Sequence, residues 1–344
     1  MKKYLQKILC VLMSACLFLC MGCSRQPILQ KSVDTAMGTI ISQSIYITDT
    51  ADSALVSQEI LAEIEALEQE YLSWRLESAE IYRINESAGS GKIQTMSDKL
   101  GSTLEQCRKV YAASDGAFDF TIGGVARIWD IDSWASEEMG DFVLPEENVI
   151  RQALTATGAD KLYLDGKQIR LPEGMQIDLG AVGKGIAMDE IKEILAENEA
   201  VTGAVISVGG SILTYGSKPN GGSWNVAIVN PFDTAESLGS LSLKGQWCVS
   251  TSGDYERYVE VDGVRYHHIL DPATGKPAES GVKSVTILTD NGLYSDALST
   301  ACFVLGVEKG LALAEDLQAE ALFVNSQGEI VMTEGMEQYF VETR

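Results

Sequence analysis

The sequence predicts an α+β fold of mostly antiparallel sheets with helices packed against them. Three observations point there. Strand-like segments come in runs joined by short turns, among them Asp165-Gly166 and Asp262-Gly263, a dipeptide favoured in two-residue hairpins. Amphipathic helical segments interrupt these runs without the strict alternation of strand and helix that builds a parallel sheet. No internal repeat or long Pro/Gly/Ser linker divides the 344 residues, a length that can bury one large core or two closely merged ones.

Taken in order, residues 1–22 read as an export leader, 23–34 as a tether and 35–344 as one folded domain. TIISQSIYI (39–47) alternates as a strand, and 54–74 carries apolar residues at helical spacing. A second helix spans 97–114, capped by Ser97 or Asp98 and followed by Gly116; a third covers 144–157. KLYLDGKQIRL (161–171) reads as a hairpin and MQIDL (175–179) as a strand, before a helix at 185–198. Strands follow at 203–216, 224–230, 238–250, 255–270 and 282–289. Helices at 295–306, where Ser295 can cap, and 308–317 precede a closing hairpin.

The leader has a basic start (Lys2, Lys3, Lys7), a charge-free apolar run from Ile8 to Met21, and Gly22-Cys23 at its end. That run is short for a membrane span and has signal-peptide organisation. Its end resembles the lipobox of bacterial lipoproteins, with Cys20 where leucine is usual. Lipid attachment at Cys23 is therefore expected, giving a membrane-anchored protein outside the cytoplasm, on the cell surface or the periplasmic side. An uncleaved anchor and ordinary secretion are the alternatives. Four of the seven cysteines belong to the leader; Cys107, Cys248 and Cys302 form neither a disulfide framework nor a CxxC metal site. The net charge of −23, more negative still once the leader lysines are gone, argues against nucleic acid or an anionic lipid surface as partner. An anionic ligand would need a local cation or a metal.

Several segments can carry chemistry. DLGAVGKG (178–185) lies at a strand-to-helix junction, where glycines admit a phosphate and the helix start favours an anion. It matches neither the P-loop spacing nor a dinucleotide fingerprint, and a plain tight turn is the alternative. In SDALST (295–300), Asp296 and Thr300 are four apart on one helix face, hard oxygen donors of the kind Mg²⁺ takes; complementing the helix dipole is the simpler role. TSGDYERYVEVDGVRYHHILDPATGKP (251–277) holds both histidines of the chain, His267 and His268, whose rings point to opposite faces of a strand and so do different jobs. GAFDFTIGG (116–124) contains Asp119 in an aromatic turn, and AMGT (36–39) lies near the start of the domain.

Together these segments, with SVGG (207–210), resemble the ApbE-type FAD:protein FMN transferases, in order and from about Thr35 to the C-terminus. The resemblance implies an ApbE-like (T-fold-like) catalytic domain that takes FAD as substrate, moves its FMN half onto a threonine or serine hydroxyl as a phosphoester and releases AMP. It places Met37, Trp74, Ala117, Phe118, Asp119, Asp178, Lys184 and Leu270 at FAD-contact positions, and Asp296, Thr300 and the backbone oxygen of Ala181 at a Mg²⁺ site. Acceptors would be exported or membrane-bound flavoproteins with a Ser/Thr-Gly-Ala-Ser/Thr motif. The nearest match here, Thr157-Gly158-Ala159-Asp160, lacks the last hydroxyl, so the chain is not expected to be its own acceptor. Phe120, Gly124 and Gly183 depart from the family pattern. An FAD pyrophosphatase and a non-catalytic flavin-binding lipoprotein are the competing readings.

In the family a histidine stands directly before two apolar residues and Asp-Pro, which here is His268. The resemblance thus makes His268 the base that takes the acceptor's proton, with a metal-bound water or Asp271 as alternatives. A reference pKa of about 6.5 suits that work near neutral pH.

Overall fold

The computed structural model describes residues 26–48, 53–136 and 142–343. The leader and Cys23 lie outside the described residues. Among those described, no helix is long and apolar enough to cross a membrane.

An antiparallel eight-stranded sheet forms the frame, in the spatial order Ile28–Ala36, Thr39–Ile47, Val201–Val208, Ser211–Gly216, Trp247–Gly253, Val282–Thr289, Glu320–Asn325, Ile330–Met332. Period-two alternation divides its side chains between two cores. Ala204, Ile206 and Val208 join Ile41, Ile45, Val285 and Phe323 under the helices Ser53–Ala66, Asp98–Ala113, Gly183–Glu197 and Gly292–Leu305. On the other face, Val205, Val249, Leu288 and Leu322 pack against a three-stranded sheet of Trp224–Asn230, Asp233–Leu243 and Phe340–Glu342. A third cluster holds the short helices Gly123–Trp129, Ile131–Ser136 and Glu147–Leu154 against the hairpin Tyr258–Val261/Val264–His267 through Val125, Trp129, Ile131, Ile150, Val259 and Leu270. The cleft opens between this clamp and the helical face of the frame.

Several expectations are corrected. Most of the expected tether is the first strand, Ile28–Ala36, paired along its whole length with Thr39–Ile47. Its polar residues concealed it, because the exposed edge of a sheet tolerates them. MQIDL does not form a strand. Asn85, buried, accepts from Ile177 N and donates to its carbonyl, replacing a strand partner with one side chain. The 161–171 hairpin turns at Gly166-Lys167, with Gly166 at φ +54°, since Asp165 already pairs with Gln168. The Asp262-Gly263 turn is as expected, both residues at positive φ. The helix carrying Asp296 begins at Gly292, capped by Asn291, whose side chain accepts from Tyr294 N at 2.8 Å. Ser295 is therefore interior and no cap, and Asp296 sits one turn deeper than expected. Cys107, Cys248 and Cys302 are buried free thiols.

Candidate active site

Gly185 and Gly292 let two helices meet. A Cβ on Gly185 would stand 2.1 Å from the Gly292 carbonyl oxygen, and a Cβ on Gly292 the same distance from that of Gly185. Asp189 of the first helix accepts from Gly292 N and Leu293 N at 2.8 and 2.9 Å, satisfying open donors of the second. This contact brings Gly185 N within 2.6 Å of Asp296 Oδ2, while Ser211 donates to Oδ1 at 2.8 Å. Ser250 continues the buried network to Ser211 and Ser295. Asp296, only 3 % exposed, is thus oriented on both oxygens, and each keeps a lone pair for another partner.

Two joined chambers receive these groups. The larger, about 460 Å³, is lined by Met37, Trp74, Asp178, Lys184, His268 and Leu270 among others. The smaller, about 160 Å³, is lined by Ala117, Phe118, Asp119, Ala181, Asp296 and Thr300, and shares Asp178, Lys184, His268 and Leu270 with the first. Residues from distant parts of the sequence that the resemblance singles out are therefore neighbours around one cleft. Met37 reaches it from the hairpin turn Met37-Gly38, at φ +51° and +65°. The strain of a non-glycine residue there is held by Met37 N donating to Glu68 at 3.1 Å, from the π-helical segment Leu67–Leu72. Its methyl group would lie 3.0 Å from a Cβ on Gly183.

His268 and His267 divide between cleft and core, although not as strand neighbours: the strand Val264–His267 ends at His267, and His268 lies in the bend that follows. His268 faces both chambers with Nδ1 3.2 Å from the backbone carbonyl of Arg257, an acceptor that fixes the proton on Nδ1 and leaves Nε2 as the basic nitrogen. His267 is buried: Nε2 donates to the Ala278 carbonyl at 3.0 Å, Nδ1 accepts from Ile269 N, and the ring meets Phe303 edge-on. Burial holds its pKa below the usual histidine value, so it stays neutral and structural.

The cleft also gathers charge beyond Lys184 and Asp119, the charged positions named from the sequence besides Asp178 and Asp296. Arg75 lies 3.8 Å and Arg127 4.2 Å from the centroid of the Trp74 ring, and Arg75, Lys184 and Arg257 line the chambers. In so acidic a chain this is the local cation that an anionic ligand needs. Glu256 sits in the shared wall; burial pushes its carboxyl up, partly opposed by Lys184 and Arg257. Asp119 is likewise raised by burial, opposed by bonds from the Thr121 hydroxyl and amide at 2.6 and 2.8 Å. Lys184 and Asp119 were legible as motif positions and Glu256 and Arg257 only as unassigned letters of TSGDYERY, whereas Arg75 and Arg127 carried no signal in the sequence. Ser211 was one residue beyond SVGG and was passed over.

Asp296, Thr300 and the Ala181 backbone offer one carboxylate, one hydroxyl and one carbonyl. Among the described residues no cluster of three or more His, Cys, Asp or Glu could hold a metal. Such a sparse, all-oxygen set does not make a closed structural site. It fits Mg²⁺, which keeps waters and completes its shell with substrate phosphates.

An α+β frame with a histidine, cationic side chains, an aromatic wall and a buried carboxylate gathered around one cleft defines a cleft enzyme suited to an anionic ligand. More narrowly, the chain belongs to the ApbE family, whose family model matches residues 37–323. The FAD:protein FMN transferase of Treponema pallidum is 32% identical over 308 residues, covering 85% of this chain and 83% of the relative. The ApbE protein of Thermotoga maritima superposes with a TM-score of 0.82 at 30% identity, over 92% of this chain and all of that one. The apo flavinyl transferase ApbE of Pseudomonas stutzeri gives 0.79 at 30% identity, covering 93% and 99%.

Proposed function

We propose that this protein transfers FMN from FAD to a threonine or serine hydroxyl of a target flavoprotein, with Mg²⁺ bound at Asp296, Thr300 and the Ala181 carbonyl. The observation that carries the reading is His268, its tautomer set by the Arg257 carbonyl, in the wall shared with the Asp296 chamber. The acceptor oxygen forms a bond to the FMN phosphorus as the P–O bond to the AMP phosphate breaks; AMP departs with the bridging oxygen. His268 Nε2 takes the acceptor's proton. Lys184, Arg75 and Arg257 supply positive charge to the diphosphate, and Met37, Trp74 and Leu270 provide apolar contact for the ring systems. Bound Mg²⁺ would neutralise phosphate charge and stabilise the leaving group. The Asp296 bonds from Ser211 and Gly185 keep that carboxylate aimed at its site before substrate arrives.

The proposal includes a lipid anchor at Cys23, which would confine the enzyme to a membrane surface outside the cytoplasm, beside exported acceptors carrying Ser/Thr-Gly-Ala-Ser/Thr. Self-modification is disfavoured, because Thr157 is 8 % exposed and its hydroxyl donates to Leu154 O. The same base could activate water, which would make the protein an FAD pyrophosphatase. Incubation with FAD, Mg²⁺ and an acceptor domain, followed by separation of free from protein-bound flavin, decides. Protein-bound FMN supports transfer, free FMN supports hydrolysis, and unchanged FAD supports a binding protein.

A further inference from the structure

We infer that the outer face of the first hairpin rests on the lipid bilayer, in an orientation that keeps the cleft level with the membrane surface. The inference rests on the anchor at Cys23. The three-stranded sheet covers only part of this side of the frame; Tyr46, 6.0 Å from Trp224, lies at the margin of the covered part. Beyond it, the register puts Leu29, Lys31, Val33 and Thr35 of the first strand on one face with Tyr46, Ser44, Ser42 and Ile40 of the second. Leu29, Val33 and Ile40 are 42 %, 71 % and 58 % exposed. Among these eight residues the one charge is Lys31, in a chain with 49 acidic and 26 basic residues.

Position in the chain selects the occupant. Four residues lie between Cys23 and Ile28, five chain steps with a reach of at most about 17 Å even when fully extended. The start of the strand is therefore held near the bilayer whatever the orientation of the rest. Apolar side chains with a single lysine suit the interface, since the lysine stem lies along apolar groups while its ammonium reaches the headgroups. The far end of the same hairpin, Met37 to Thr39, lines the larger chamber. A nine-residue strand is about 30 Å long, so laying it flat brings the cleft to the headgroup level, where a membrane-held acceptor would meet it.

The test uses the full-length lipidated protein in phosphatidylcholine vesicles. Cys107, Cys248 and Cys302 are buried, so an environment-sensitive dye would label V33C, or the control E308C on the helical side. Flotation with the vesicles tests the anchor. Among floating protein, quenching of the residue-33 dye by spin-labelled lipid, with the residue-308 dye unaffected, is the expected result. Floating protein with neither dye quenched overturns the face assignment and leaves the anchor standing. Cross-linking between copies through residue 33 also overturns it, in favour of a dimer. Failure to float overturns the anchor and the inference with it.

Discussion

The contact between Gly185 and Gly292 is the device that aims Asp296, and Gly185→Ala tests it. The added methyl carbon would sit 2.1 Å from the Gly292 oxygen and 2.6 Å from its carbonyl carbon. Restoring van der Waals separation requires the helices to part by roughly 1.2 Å or more. Overpacking of this kind costs about 1–3 kcal/mol. The same displacement stretches the bond from Gly185 N to Asp296, and a hydrogen bond to a carboxylate contributes roughly 1.5–3 kcal/mol. Together these predict a loss of about 3–5 kcal/mol and a Tm lowered by roughly 5–10 °C for a chain of this size. Thermal unfolding followed by circular dichroism measures it. Gly124→Ala is the control: its φ is not positive, and its Cβ would meet nothing closer than 3.8 Å. A Gly185→Ala protein that melts with the wild type would refute the argument that this close approach constrains the site.

The remaining expectations concern single groups. His268→Ala should keep FAD binding but lose transfer about 10²–10⁴-fold in single turnover, whereas His267→Ala should cost mainly stability; equal losses of rate would contradict the division of roles. Asp296→Asn should raise the Mg²⁺ concentration needed for transfer far more than Thr300→Ala does, because an ionised carboxylate holds a hard cation better than a hydroxyl; normal transfer by Asp296→Asn at limiting Mg²⁺ would reduce Asp296 to a structural role. His267 has a folded pKa below its unfolded value, so the unfolded chain binds the proton more readily. Its contribution to stability is present above about pH 6.5 and is lost as pH falls toward the folded value. His267→Gln, which keeps a donor for Ala278 O, should lose less stability on acidification than the wild type in urea titrations; parallel losses would show that the ring is not held neutral.

Much of the frame was legible because burial writes period two into strands such as Val201–Val208 and helical spacing into Ser53–Ala66. What was missed was determined by partners distant in sequence. Ile28–Ala36 looks like a tether until its pairing with Thr39–Ile47 is known. The Gly292 helix start depends on Asp189, more than a hundred residues earlier. The chemical residues were visible as motifs only through family resemblance, and their convergence on one cleft needed the fold. Glu256 and Arg257 were quoted in TSGDYERY without a role, since nothing in their spacing places them against Lys184 and His268.

The central claim, that the cleft moves FMN to a protein hydroxyl, is tested most directly with two matched acceptor domains. One carries the target threonine and the other valine in its place. Each is incubated with the wild-type protein, FAD and Mg²⁺, then weighed intact while AMP is quantified. The account predicts that only the threonine acceptor gains the mass of FMN less one water, with one AMP released per acceptor modified. AMP and free FMN formed equally with both acceptors, and no mass gained by either, would contradict it.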